Sequence, residues 1–169
     1  MKLVGAMLIL ISGAALGLQI AARRRARAET LRELCASLEQ ACAELEAANL
    51  PLPALLERLA KQSGEASAGF FLHLCAGFAP AGETSFQEIW ETAVHEELKQ
   101  LRERERQDLL RLGTVLGRYD LDSQLEAIRL CMASLGAEWE SIRMNDPAER
   151  RLLLGLTAAG AGLLVVILI

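Results

Sequence analysis

The chain has 169 residues, of which 52% are hydrophobic and 24% are charged, and its formal net charge at pH 7 is −4. All 22 acidic residues and every basic residue except Lys2 lie between positions 23 and 151, so that 17 Lys and Arg face 22 Asp and Glu there, a net charge of −5. This mild acidity argues against nucleic-acid binding, because proteins that bind nucleic acids present basic surfaces. About 129 residues are enough for one domain with its own core.

The first element is an uncharged stretch, Leu3–Ala22, that ends against Arg23, Arg24, Arg25 and Arg27. At a rise of about 1.5 Å per residue it spans roughly 30 Å, the hydrocarbon thickness of a bilayer, so we predict a transmembrane helix. A cleaved signal peptide is the alternative. It is disfavoured because the stretch is longer than the apolar core of a signal peptide and the arginines follow it at once.

The chain ends in a second apolar stretch, Leu152–Ile169, which follows Arg150 and Arg151. Basic residues that flank membrane helices stay on the cytoplasmic side, and here they concentrate on the inner flanks of both stretches. The sequence therefore predicts a cytoplasmic middle with both termini across the membrane. The predicted domains are a transmembrane helix at 1–22, a cytoplasmic helical domain at 23–151 and a transmembrane helix at 152–169.

Helical periodicity runs through the middle of the chain, and no strand-like alternation occurs. The first and last soluble helices each have apolar residues that recur every three or four positions, a pattern that buries one face. These residues are Leu31, Cys35, Leu38, Cys42 and Leu45 in the first helix and Leu121, Leu125, Ile128, Met132, Leu135, Trp139 and Ile142 in the last. Two such stripes predict an all-α fold, an antiparallel bundle.

Prolines and glycines predict where these helices begin and end. No Pro or Gly separates the first apolar stretch from the helix that follows, so we expect one continuous helix. Before the second stretch we expect a break, because Asp146 offers a cap and Pro147 suits a first helical turn. Pro53 is expected to start a short helix in the same way.

Two residues have the spacing of a capping box. Ser85 is expected to accept from the amide of Glu88, whose side chain returns to the cap. Trp90, in the helix that begins here, is expected in the core, with an interface as the alternative.

Gly113 and Gly117 lie four residues apart, but they do not form a phosphate-binding loop, because such a loop would require a following Lys-Ser or Lys-Thr. Gly113 is expected to permit a tight helix crossing, and Gly117 is expected to end a helix with a positive φ. Asp120 or Asp122 is then expected to cap the last soluble helix.

The run Lys99–Asp108 is dense in charges of alternating sign at helical spacings. One interpretation is a solvated helical face or a link between helices. The other is a surface that docks a partner, since membrane platforms meet soluble components through charged cytoplasmic helices. The candidate docking residues are Lys99, Arg102, Glu103, Arg104, Glu105 and Arg106.

Catalytic and metal-binding patterns are weak. The only histidines are His73 and His95, and nothing in the sequence groups carboxylates around them, so we expect no metal, no cofactor and no small-molecule substrate. A hydrolase that uses either histidine with a nearby Ser or Cys is the enzyme alternative. The cysteines, which lack CxxC or zinc-type spacing and are expected to be core thiols, are Cys35, Cys42, Cys75 and Cys131.

The whole chain resembles the stage III sporulation protein AB family, membrane components of the sporulation channel of endospore-forming bacteria. No single motif is diagnostic of this family, but the order and spacing of several motifs between two apolar ends are fairly specific to it. The matching residues are Met1-Lys2-Leu3 with Gly5-Ala6, Leu52-Pro53 with Leu59-Ala60-Lys61, Gly82-Glu83-Thr84-Ser85 with Glu88 and Trp90, Leu112-Gly113, Leu116-Gly117, Asp120, Gln124, Ile128 and Leu130. Tyr119, Leu121 and Asp146-Pro147 depart from the family pattern.

The resemblance implies a domain of about six helices, similar to the cytoplasmic domains of type II secretion F platform proteins. It implies a non-enzymatic platform in the mother-cell membrane facing the forespore, with a cytoplasmic central domain. The implied partners are the membrane, other sporulation channel proteins and a cytoplasmic secretion-type ATPase. A membrane-anchored adaptor of another secretion or pilus-like system is the alternative, and it predicts the same structure.

Overall fold

The structure, a computed structural model, describes the backbone of residues 2–48, 50–78 and 85–168 and the side chains of residues 15, 17–47, 50–78 and 85–144. Six helices account for most of these residues, and no strand occurs among them, so the predicted all-α fold is confirmed. In chain order they are α1 (Lys2–Ala48), α2 (Leu52–Gln62), α3 (Glu65–Phe78), α4 (Phe86–Glu97), α5 (Glu103–Val115) and α6 (Leu121–Leu168).

The chain divides into two compact units. One comprises Met1–Arg25 and Glu140–Ile169, and the other is the continuous segment Ala26–Trp139. Within the described residues we find no helix that is both long and apolar enough to traverse a bilayer. The predicted membrane segment Leu152–Ile169, and Leu3–Ala22 for the most part, lie outside the residues whose side chains are described, so both stay predictions.

Helices α1 and α6 are each uninterrupted over the whole of their described ranges. The continuity predicted for α1 is confirmed, since one helix spans 47 residues from Lys2 to Ala48. The break predicted at Asn145-Asp146-Pro147 is wrong, because α6 continues through these residues as one helix of 48. Pro147 has no amide hydrogen and removes a single helical hydrogen bond, at a cost of about 3 kcal/mol, while the helix on either side keeps its own bonds.

Helices α1 and α6 are antiparallel within Ala26–Trp139, as the two apolar stripes predicted. Arg27 pairs with Glu138, the Cys35 thiol lies 4.0 Å from the Met132 carbonyl, and Glu46 pairs with Arg129. Position numbers thus rise along one helix as they fall along the other. The buried apolar residues described in the two helices are Leu31, Leu34, Leu38, Ala41, Leu45, Leu125, Ile128, Cys131 and Leu135, whereas Cys35, Cys42, Leu121, Met132, Trp139 and Ile142 are half-buried.

Trp90 lies in the core at the crossing of α4 and α5, as predicted. It is 2% exposed, and its indole Nε1 donates a 2.8 Å hydrogen bond to the carbonyl of Leu109. The Phe70 ring meets the indole edge to face at 5.1 Å. A Cβ on Gly113 would lie 2.7 Å from Cγ of Trp90, so the two helices approach this closely because Gly113 has no side chain. The tight crossing predicted there is confirmed.

The predicted starts and stops of helices also form. Pro53 lies in the first turn of α2. The Ser85 hydroxyl accepts from the Glu88 amide at 3.3 Å, and the Ser85 amide donates to the Glu88 carboxylate at 3.0 Å, which completes the capping box. Gly117 has φ +73° and ends the turn after α5.

Asp120, rather than Asp122, caps α6. Its carboxylate accepts from the amide of Ser123 at 3.1 Å and from the Ser123 hydroxyl at 2.8 Å. These bonds lower the pKa of Asp120. Gln124 closes the same turn, since its amide group donates to the Tyr119 carbonyl at 2.6 Å and its side-chain oxygen accepts from Gly117 at 3.3 Å.

Candidate docking site at the start of helix α5

The predicted docking segment, Lys99–Asp108, spans the turn between α4 and α5 and the first half of α5. Lys99 lies in the turn, because α4 ends at Glu97 and α5 begins at Glu103. Glu103 and Arg106, three residues apart on α5, form an ion pair with Nη2 and Oε2 2.8 Å apart, as the helical spacing of charges in this run predicts. The first part of the segment therefore links α4 to α5 and the second part belongs to α5, so the segment is not one continuous solvated surface.

The turn is fastened to α1. Gln100 donates from Nε2 to the hydroxyl of Thr30 at 2.8 Å, and Thr30 is itself buried. Leu98 and Leu101, which flank Gln100, are buried in the core. The exposed side chains of Lys99 and Arg102 thus project from a turn whose backbone is fixed by its neighbours.

Glu105 is the exception in the charged run, because it is only 1% exposed. One of its carboxylate oxygens accepts from the Arg102 amide at 2.7 Å, which caps the start of α5. Arg27 donates to the same carboxylate from Nε at 2.9 Å and 3.2 Å, and also from Nη2. The prediction that Glu105 belongs to an exposed docking surface is wrong, since its side chain is used inside the domain.

Arg27 joins a third helix to this pair. Its Nη2 lies 2.8 Å from Oε2 of Glu138 on α6, so that one guanidinium bridges two carboxylates. The hydrogen bonds that Arg27 donates to Glu105 are the main reason that the pKa of Arg27 is raised above its ordinary value, although burial opposes the shift. Arg27, Glu105 and Glu138, the ion cluster from here on, therefore link α1, α5 and α6 at one level of the bundle.

Sequence reasoning missed the ion cluster, although the sequence contains a signal for it. Each member continues the buried stripe of its own helix by one step of three or four residues. Arg27 precedes Leu31 and Leu34, Glu105 precedes Leu109 and Leu112, and Glu138 follows Ile128, Cys131 and Leu135. Each of three apolar stripes therefore has one charged residue in register with it. Because two of these residues are acidic and one is basic, the pattern indicates a buried ionic contact.

The docking residues that remain exposed are mostly basic. Lys99, Arg102 and Arg104 are exposed, and Glu103, the exposed acid among them, is already paired with Arg106. Arg111 and Arg118 follow Arg104 at intervals of seven and are exposed as well. We call Lys99, Arg102, Arg104, Arg111 and Arg118 the basic strip, a set of exposed positive charges that suits an acidic partner.

The expectation about the histidines is partly wrong. Two carboxylates do group around His73, with Glu97 Oε1 3.4 Å and Glu96 Oε2 3.9 Å from its Nδ1. His95 lies exposed on α4 and is not part of this group. The hydrolase alternative requires a Ser or Cys beside a histidine. Among the described residues, Nδ1 of His73 is instead close to the carboxylates of Glu96 and Glu97.

The four cysteines are free thiols, and their surroundings make them poor nucleophiles. Burial and the nearby charge of Asp108 raise the pKa of Cys131 to about 12. Burial also raises the pKa of Cys35, Cys42 and Cys75. Reactive cysteines have lowered pKa values, so these residues are better explained as packing residues.

Comparison with known proteins gives two positive findings. The family model of stage III sporulation protein AB matches residues 2–169 of the chain. The solved structure of a stage III sporulation protein AB is similar to this chain with a TM-score of 0.64 and 24% sequence identity. That match covers 73% of this chain and 98% of the other, and it shows a common fold. No curated protein matches the chain.

Proposed function

Because the chain belongs to the stage III sporulation protein AB family, which indicates a role in sporulation, we propose that it is a membrane platform of the channel between mother cell and forespore. The family is a structural one rather than a known enzyme family. In this proposal the helical domain binds partners and performs no chemistry of its own. The raised pKa values of its cysteines and the carboxylate surroundings of His73 support a role without nucleophilic catalysis.

We propose that the platform resides in the mother-cell membrane facing the forespore, with Ala26–Trp139 in the cytoplasm. The support is the sequence pattern of apolar ends and inner arginines, which include Arg23, Arg24, Arg25, Arg150 and Arg151. Arg27 belongs to the same group of arginines but also holds the ion cluster. Its exchange would therefore report on packing as well as topology.

A cytoplasmic secretion-type ATPase or another channel protein is the proposed partner, and the basic strip is the proposed contact. The observation that carries this proposal is the fixed, exposed turn at Lys99 and Arg102, which Gln100 ties to α1 and Glu105 ties to Arg27. A partner that pushes on this turn would act directly on the helix that leads to the N-terminal apolar stretch. Such a connection is what a platform requires if it couples an ATPase to a membrane complex.

Site-specific photocrosslinking in sporulating cells tests the contact. A photoreactive residue in place of Arg104 is expected to capture an ATPase or another channel protein. The matched control is the same residue in place of Glu126, which is also exposed and helical but lies on α6. Capture of the same proteins from both positions, or from neither, would contradict docking through the basic strip.

Three simpler experiments address the topology and the alternatives. A cysteine in place of exposed Arg111 should react with a membrane-impermeant thiol reagent only after the cells are permeabilised, and labelling in intact cells would contradict the orientation.

Production of the protein only in vegetative growth would favour an adaptor of another secretion or pilus-like system. Sporulation that is unaffected by the double change His73→Ala and His95→Ala would support a platform over a hydrolase.

A further inference from the structure

A second group of ionisable side chains lies where α3 packs against α4. His73 on α3 meets Glu96 and Glu97 in the last turn of α4, and one ligand atom from each of the three residues lies within 4.8 Å of the others. Ligands of a tetrahedral metal ion lie about 2.0–2.2 Å from the metal and so roughly 3.3–3.6 Å from one another. Small side-chain rotations would bring these three atoms to that spacing. We propose that His73, Glu96 and Glu97 bind a divalent transition-metal ion of the Zn²⁺ type.

The electrostatics of the group favour a cation. The C-terminal end of a helix carries a partial negative charge, and acidic side chains in the last turn are unfavourable there. Glu96 and Glu97 nevertheless occupy the last two positions of α4, a helix of 12 residues. A divalent ion bound between Glu96, Glu97 and His73 would neutralise both carboxylates together.

The packing of α3 makes room for this arrangement. A Cβ on Gly69 would lie 2.7 Å from Oε2 of Glu97, so a larger residue there would push the carboxylate away. Gly69 and His73 are four residues apart and therefore share one face of α3. The absent side chain lets Glu97 extend along that face toward the imidazole, as a ligand must.

The donor set selects the kind of metal. One imidazole nitrogen with two carboxylate oxygens suits Zn²⁺, Co²⁺ or Mn²⁺ better than Ca²⁺ or Mg²⁺, which prefer oxygen ligands alone. Three protein ligands leave a fourth position for water or for a side chain of a bound protein. The ion would join α3 to α4 at the end of the helix that leads into the turn before α5.

Calorimetric titration of Zn²⁺ into the full chain in detergent micelles tests the proposal. We expect saturable binding of one ion per chain with a Kd on the order of micromolar, weakened by about tenfold or more in His73→Ala and Glu97→Gln. The matched control is His95→Ala, which removes the other histidine and should change the Kd less than about twofold. Circular dichroism checks that each variant is folded.

Co²⁺ provides a spectroscopic readout that a merely structural ion pair would not give. Tetrahedral Co²⁺ with a nitrogen ligand is expected to produce visible d–d absorption in the unchanged protein and in His95→Ala, and none in His73→Ala. Lack of saturable Zn²⁺ binding would overturn the proposal. Equal loss of binding in the His73 and His95 variants would also overturn it. The platform function is tested separately by crosslinking, so either proposal can fail without the other.

Discussion

The two ionic groups of this protein differ in burial, and the difference decides what each contributes. In the ion cluster, the Glu105 carboxylate is 1% exposed and the Arg27 side chain is 9% exposed, while Glu138 at the edge of the cluster is 28% exposed. In the group of His73, Glu96 and Glu97 the corresponding side chains are 28%, 60% and 36% exposed. Water can replace a lost partner in the second group but not in the first. The first is therefore a structural connection, and the second is accessible to a ligand.

The largest expected effect comes from removing the buried carboxylate. Glu105→Ala leaves the Arg27 guanidinium without its main partner and removes the cap on Arg102, so we expect a loss of about 3–5 kcal/mol in the free energy of unfolding. Glu103→Ala, two residues earlier and exposed, should cost less than about 0.5 kcal/mol. Denaturant unfolding of both variants measures the difference. Similar losses would mean that burial does not separate the two sites.

Two glycines allow the same comparison between a buried and an open position, with no charged residue involved. Gly113→Ala places a Cβ against the Trp90 ring and should destabilise the protein by about 1–3 kcal/mol. Gly136→Ala meets no atom within 4 Å and should be neutral or stabilise α6 by up to about 1 kcal/mol. Thermal unfolding distinguishes the two. A stabilising Gly113→Ala would contradict the close crossing of α4 and α5.

The group of His73, Glu96 and Glu97, which is more exposed than the Arg27–Glu105 pair, should respond weakly to the loss of a partner when no metal is present. His73→Ala removes a contact with Glu97 that is only partly buried and that water still reaches, and such contacts are worth about 0–1 kcal/mol. Denaturant unfolding in the presence of a chelator is the measurement. If this variant were as unstable as Glu105→Ala, the contrast between the two ionic groups would be lost.

The smallest expected effect is a pH dependence at the cap of α6. The pKa of Asp120 is lowered in the folded state by its bonds to Ser123, so its stabilising contribution is present above the unfolded pKa of about 3.9. That contribution is lost as the pH falls through the lower, folded value. Asp120→Ala should therefore be less stable than the unchanged protein at neutral pH, with the difference shrinking below about pH 4. A difference that is constant with pH would contradict the charged cap.

The fold was predictable largely because its signals are local. The capping box at Ser85, the positive φ at Gly117 and the continuity of α1 each depend on residues within one or two helical turns. The break expected at Pro147 is wrong for a related reason. An Asp-Pro pair has the same sequence whether it starts a new helix or lies inside a long one. Only the hydrogen bonds of the surrounding residues decide which of the two structures forms.

The candidate site was less predictable, since exposure depends on contacts between distant residues. Glu105 stands in a run of alternating charge, and its neighbours Glu103 and Arg104 are exposed as expected. Its own burial depends on Arg27, which lies 78 positions earlier in the chain. The period of α5 places Glu105 in line with Leu109 and Leu112, but the partner that permits its burial is on another helix.

The sequence by itself determined that this chain is helical, where most of its helices start and stop, and which faces are apolar, because each of these depends on short-range periodicity and capping. The resemblance of its motifs to stage III sporulation proteins AB was also readable from the sequence, and the family match confirms it. Only the tertiary structure decided that Glu105 is internal and that His73 meets Glu96 and Glu97. Those contacts require a particular register between helices, and the packing of many side chains at once sets that register.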